Sequence, residues 1–168
     1  MVYGFMPGPH QVNNQISVPK GQVIAGNAIG ILVLDLWYPY LPGNVANAST
    51  FNFPVLYKIL KGRTGRDLRS ADHAMLDAIV EGGRELEEQG VRAIVGACGF
   101  FGNYQKEAAA MLNVPVYISS LLQVPIIRQG LKPNQKVGVI TAILSGLTPE
   151  ILSQCGVNDL SDVVIAGA

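Results

Sequence analysis

Short apolar, largely β-branched runs at residues 29–35, 91–97, 114–118, 137–142 and 162–166 constrain this chain most, because turn residues and helix-periodic sequence separate them. Runs this short, bounded by glycine and lacking polar alternation, read as strands covered on both faces. The segments between them carry a different period. Residues 70–89 place Ala71, Ala74, Met75, Ala78, Ile79 and Leu86 on one helical face, and Gly90 supplies the stop. Residues 104–112 and 121–129 repeat the helical pattern, the latter closed by Gly130. Thr148-Pro149-Glu150 offers a hydroxyl N-cap and a proline at the first helical position of a helix that ends at Gly156. Strands alternating with helices in this way imply an α/β protein with a parallel sheet.

Organisation follows from the same punctuation. Residues 1–27, rich in Pro, Gly, Asn and Gln without period, read as an extended lead-in. Residues 28–133 form a first α/β lobe. Lys132-Pro133-Asn134-Gln135 is the linker, after which residues 134–168 open a second, incomplete α/β lobe. Within the first lobe, residues 37–50 are a loop dense in turn formers, leading to a short helix near residues 55–60. Residues 62–67 are a loop whose Arg63 and Arg66 could clamp an anion but read more simply as solvated, and Asp77, Glu81, Glu85 and Glu88 form the wet side of the long helix.

Composition narrows the function classes. The chain has 168 residues, 49% of them hydrophobic, enough for a real core. Its 12 basic and 12 acidic residues cancel, so no basic face exists to track a phosphate backbone and nucleic acid is not an expected partner. The longest apolar stretch, residues 28–41, is broken by Asp35 and Pro39, too short for a bilayer span. The N-terminus lacks the charged start and apolar middle of a signal peptide, and two distant cysteines are not a disulfide framework. A cytoplasmic protein with reduced thiols, and no membrane partner, is the expectation.

Chemistry centres on Cys98. The run 91–97 ends in Cys98-Gly99-Phe100 and gives way to helical sequence, which places a thiol at the carboxyl end of a parallel strand, the edge where open α/β sheets bind ligands. A helix N-terminus beside it would favour thiolate. An unpaired cysteine is also among the residues most often buried, and position alone leaves both readings open. Cys155 precedes a helix-ending glycine, where the dipole opposes thiolate, and reads as structural. Neither GxGxxG, GxxxxGK[ST] nor GxSxG occurs. His10 and His73 have no metal spacing, and Asn47-Ala48-Ser49 matches the glycosylation sequon by chance.

The first strand Gly30-Ile31-Leu32-Val33-Leu34-Asp35, the loop 41–55 with its Pro42-Gly43-Asn44 and Asn47-Ala48-Ser49-Thr50, Ala97-Cys98-Gly99-Phe100 and residues 119–125 together resemble the aspartate/glutamate racemase superfamily. The resemblance runs through residues 28–166 and is nearest the poorly characterised branch with this loop. It implies two flavodoxin-like lobes facing a cleft, with one cysteine from each lobe moving the α-proton of an amino acid without pyridoxal phosphate, metal or other cofactor. Inverting a carbon needs an acid on one face and a base on the other. By position Cys98 matches the first-lobe cysteine, and Asn47, Gly99, Ser119 and Thr141 lie where they could hold a carboxylate substrate.

Here the chain departs from the pattern. The second-lobe cysteine is missing, and Cys155 does not match its motif. The expectation is therefore a cofactor-independent racemase-like isomerase whose second lobe is truncated. The alternatives are a one-thiol decarboxylase or isomerase, and a non-catalytic small-acid binder or remnant. Association with a second copy of the chain is one way to cover the apolar faces of an unfinished lobe.

Overall fold

A computed structural model describes residues 24–70 and 72–168. The expected lead-in, as far as residue 23, and Ala71 lie outside the described residues. The first strand, β1, is Ile29–Leu34, and its Leu32 and Leu34 are buried together with Ile31 and Val33. Being covered on both faces explains why the run shows no polar alternation.

Residues 55–60 are not a helix. They form strand β2, Val55–Leu60, parallel to β1 from Ile29↔Val55 to Leu34↔Leu60. The segment is half-buried from Val55 to Lys58, with Ile59 exposed and Leu60 buried, as an edge strand can be. A single apolar run this short does not distinguish strand from helix by period alone, and the vacant edge of β1 decided it. The loop reading of residues 62–67 also gives way. Gly62 turns with φ 70°, and helix α1, Gly65–Arg69, starts at once. Its start is a capping box in which the Thr64 amide and hydroxyl both donate to the Asp67 carboxylate, at 2.6 and 2.8 Å. These bonds hold the Asp67 carboxyl below its usual range.

Helix α2, His73–Glu88, is capped by Asp72 and ends before Gly90, whose φ is 80°. It lies on the face of Gly30, Leu32 and Leu60. A Cβ on Gly30 would fall 2.9 Å from Leu86, and one on Gly82 the same distance from Leu60, so both glycines allow close helix–sheet contact. Glu85, expected in water, pairs with Lys58 of β2. Glu87 accepts the Val114 amide at 2.9 Å.

Strand β3, Ile94–Gly96, pairs parallel with β1, and β4, Val116–Tyr117, pairs parallel with β3. The run 114–118 is thus a strand only at its centre. Between β3 and β4 come a 3₁₀ segment, Gly99–Tyr104, and helix α3, Gln105–Met111. After β4, a 3₁₀ turn at Ser120–Leu122 leads into α4, Gln123–Arg128. The four-stranded sheet has the order β2-β1-β3-β4. The fold is α/β with a parallel sheet, as its strand and helix rhythm implies.

Gln105 holds β4 to α3. Its side chain is 6% exposed, donates to the Val116 carbonyl at 2.8 Å and accepts from the Ile118 amide at 3.0 Å. Gln105→Ala leaves both backbone groups without that partner and is expected to cost about 2–4 kcal/mol. The loss should be read as a lower denaturation midpoint with an unchanged m-value.

A second sheet pairs β5, Val137–Thr141, parallel with β6, Val163–Gly167, around helix α5, Pro149–Gln154. This sheet does not stand apart from the first. Val137, Ile151, Leu152, Cys155 and Val157 belong to the same buried cluster as Phe101, Tyr104 and Ile118. Its outward side is apolar and open, with Ile140 79% and Val164 52% exposed. No helix among the described residues is long and apolar enough to cross a membrane.

Candidate functional site

Strand order places the site. From β1 the chain moves outward to β2, then crosses back to β3 on the other side, so the crevice at the carboxyl ends of β1 and β3 is the point where strand order reverses. The Ala97 amide donates to Leu32 and completes the ladder, and the next residue is Cys98. Its backbone is extended at φ −146°, ψ 131°, and it caps the 3₁₀ segment that follows.

Cys98 lines an open cleft of about 210 Å³, together with Gly99, Phe100, Ser120, Thr141 and Leu147 among others. The two sheets thus contribute opposite walls, Cys98 from the end of β3 and Thr141 from the end of β5. The cleft is mainly apolar, with the thiol, hydroxyls and backbone groups as its polar points.

The thiol is half-buried. Burial pushes its pKa up, against the Phe100 amide and the Arg69 guanidinium, which pull it down. The expected thiolate-favouring field is therefore present but outweighed, since removing the anion from water costs more than one amide and one distant cation return. Cys155 is 2% exposed, its thiol is also raised by burial, and it packs on Gly102, where a Cβ would lie 2.9 Å from Sγ. It has the structural role its position suggested.

The other expected site residues separate into groups. Gly99 and Thr141 line the cleft. The Thr141 hydroxyl sits 3.4 Å from both the amide and the carbonyl of Ile143. Ser119 stands behind the wall, 6% exposed, donating to the Gly99 carbonyl at 2.7 Å and accepting from the Leu121 amide. It braces the turn next to Cys98. Asn47 is not brought to this cleft. Its amide donates to Tyr40 O at 2.6 Å and its Oδ1 accepts from the Ser49 amide and hydroxyl, which ties the loop to itself.

Arg69 is a neighbour of the cleft wall that periodicity missed. It ends α1, and its guanidinium lies over the Phe100 ring, 5.7 Å from the centroid. Only α1 packing on the 3₁₀ segment brings it there. Among the described residues, no cluster of three or more His, Cys, Asp or Glu side chains could hold a metal.

The similarities of the chain lead elsewhere than the racemases. No family model matches it, and no solved structure matches it. It is 33% identical over 150 residues to dimethylsulfoniopropionate lyase 3 of Emiliania huxleyi (strain CCMP1516), covering 83% of this chain and 38% of that protein. Dimethylsulfoniopropionate lyase 6 of the same organism is 32% identical over 150 residues, with the same shares of 83% and 38%. The dimethylsulfoniopropionate lyase of Durusdinium sp. clade D is 30% identical over 139 residues, 78% of this chain and 46% of that protein. These names overturn the expectation of a racemase or other isomerase, because the relatives are lyases. The chain spans less than half the length of these curated relatives, and over that span it is similar to dimethylsulfoniopropionate lyases.

Proposed function

We propose that the cleft is part of a lyase site for a β-sulfonio carboxylate of the dimethylsulfoniopropionate class, with Cys98 as the base. The observation that carries this reading is a half-buried thiol in a cleft at the strand-order reversal, in a chain similar to lyases of that name. The substrate is acidic at the carbon α to its carboxylate and carries a neutral leaving group, dimethyl sulfide, on the β-carbon. The Cys98 thiolate takes the α-proton. The C–H electron pair forms the Cα=Cβ bond, and the Cβ–S pair leaves on sulfur. Products are dimethyl sulfide, acrylate and a proton, which the thiol passes on to water.

Racemisation needs groups on both faces of a carbon, whereas elimination needs one base and a leaving group. Cys155, buried beneath Gly102, has no part in the step. Gly99 and Thr141 would contact the substrate, Ser119 would hold Gly99 in place, and Asn47 would shape its loop. The apolar walls favour a reaction in which a separated pair of charges becomes one anion and one neutral molecule.

The test is release of dimethyl sulfide into the headspace, with acrylate followed by proton NMR. Only the thiolate is a base, and burial raises the thiol pKa. Below that pKa the rate should therefore climb about tenfold per pH unit, levelling above the ordinary thiol value of about 8.5. Release without acrylate, or a profile flat from pH 6 to 9, would count against Cys98 as the base.

A further inference from the structure

We infer that Arg69 is the carboxylate anchor of the Cys98 cleft, the cation that receives the acid end of the substrate while the thiol faces the neighbouring carbon. This rests on the reading of the cleft as a site for a carboxylate substrate. Three structural observations carry it. The guanidinium lies over the face of Phe100, a residue of the cleft wall. The Arg69 stem also runs against Gly146, where a Cβ would fall 3.0 Å from Cδ, and Gly146 adjoins the wall residue Leu147. Arg69 does not itself line the cleft, but it lies directly behind two of its wall positions, over Phe100 and against Gly146 next to Leu147.

Second, the arginine is exposed and uncommitted. The ion pairs among the described residues are Lys58–Glu85 and Arg128–Asp162, and no carboxylate there neutralises Arg69. An unpaired guanidinium stacked on an aromatic ring keeps its fork of N–H donors for a carboxylate. Its charge already reaches the Cys98 thiol.

Third, Arg69 and Cys98 are mounted on one joint. Cys98 caps the 3₁₀ segment Gly99–Tyr104, and that segment is bonded to α1 from its far end. The Asn103 amide donates to the Leu68 carbonyl at 2.9 Å, and the Tyr104 hydroxyl donates to the Asp67 carbonyl at 3.1 Å. Leu68, adjacent to Arg69, is fully buried. The separation of the Arg69 and Cys98 backbones is therefore fixed, and the stack on Phe100 sets where the guanidinium lies. Arg66, on the same helix, has no such contact with the wall and serves as the control.

The experiment compares two alkylating agents at Cys98, iodoacetate and iodoacetamide, with the modified peptide quantified by mass spectrometry. Both react with the same thiolate, so any change in thiol pKa cancels in their rate ratio. Only iodoacetate carries the carboxylate that Arg69 would hold. Arg69→Gln and Arg69→Met, the latter keeping an apolar stem on Phe100, should each lower the iodoacetate-to-iodoacetamide ratio about 10-fold, the scale of one charge-assisted hydrogen bond. Arg69→Lys should give an intermediate ratio, and Arg66→Gln the wild-type one. A wild-type ratio in both Arg69→Gln and Arg69→Met overturns the assignment, as does an equal fall in Arg66→Gln, which would reveal a diffuse field. Failure of Cys98 to react with either reagent overturns both the anchor and the base. The ratio requires no turnover. A protein inert toward dimethylsulfoniopropionate thus refutes the lyase reading while Arg69 is still judged on its own.

Discussion

Cys98→Ala is expected to abolish dimethyl sulfide release, with kcat reduced by about 10³-fold or more, while circular dichroism and thermal midpoint stay close to wild type. A positioned general base contributes about 10²–10⁴-fold, and nothing else lining the cleft has a pKa suited to taking a proton from carbon. Ser120 and Thr141 are hydroxyls, far weaker bases than a thiolate once ionisation is counted. Stability should hold because the thiol is half-buried and faces an open cleft, so its removal creates no closed cavity. Cys98→Ser is the sharper variant, since it keeps a polar atom of similar size in place and loses only basicity. Cys155→Ala should do the opposite. It removes a side chain only 2% exposed and lowers stability while leaving kcat near wild type. Wild-type release from Cys98→Ser would refute the mechanism.

Gly96→Ala should be the most damaging single methyl addition near the site. Gly96 is the last residue of β3, and a Cβ there would stand 2.5 Å from the Ile118 carbonyl oxygen and 2.8 Å from Phe101 Cδ2. The first neighbour is backbone, which no rotamer change can relieve, and the second is a fully buried ring. Overpacking of this kind costs roughly 3 kcal/mol, and for a domain of this size about 6–12 °C in Tm. Gly83→Ala is the comparison. Its Cβ would meet the tip of Leu112 at 2.6 Å, and a leucine end can swing aside, so a smaller loss is expected. Scanning calorimetry of the pair separates a backbone clash from a side-chain one. Equal midpoints would mean that the β3–β4 contact yields as easily as a leucine. Because Cys98 follows closely on Gly96, the variant should also depress dimethyl sulfide release by displacing the thiol.

Much of this arrangement is legible in the chain itself. The doubly apolar run at β1, the capped and glycine-stopped α2, and the proline start of α5 are local signals, each set by a few neighbouring residues, and each forms as read, although the Thr148 hydroxyl makes no capping bond. The thiol just beyond β3 follows from a buried run giving way to a helical period, although only Ile94–Gly96 of the run 91–97 is strand.

Other features depended on partners far away in sequence. Residues 55–60 hold an apolar pattern that serves either element, and pairing with β1 made them a strand. The thiol's protonation turned on a balance between desolvation and a cation from α1, neither of which residues 91–100 contain. The turn at 62–67 is a helix start because the Asp67 carboxylate reaches back to Thr64, and Arg69 comes to lie over Phe100 because Asn103 and Tyr104 bind α1 to the segment behind Cys98. The choice of reaction was likewise not local. A strand-end cysteine serves proton transfer in racemisation and in elimination alike, and the proposal of elimination rests on similarity over 150 residues to proteins named as lyases. Periodicity, caps and stops are short-range properties that one segment can carry. A charge balance or a shared wall exists only when separate segments meet, and tertiary structure alone decided those.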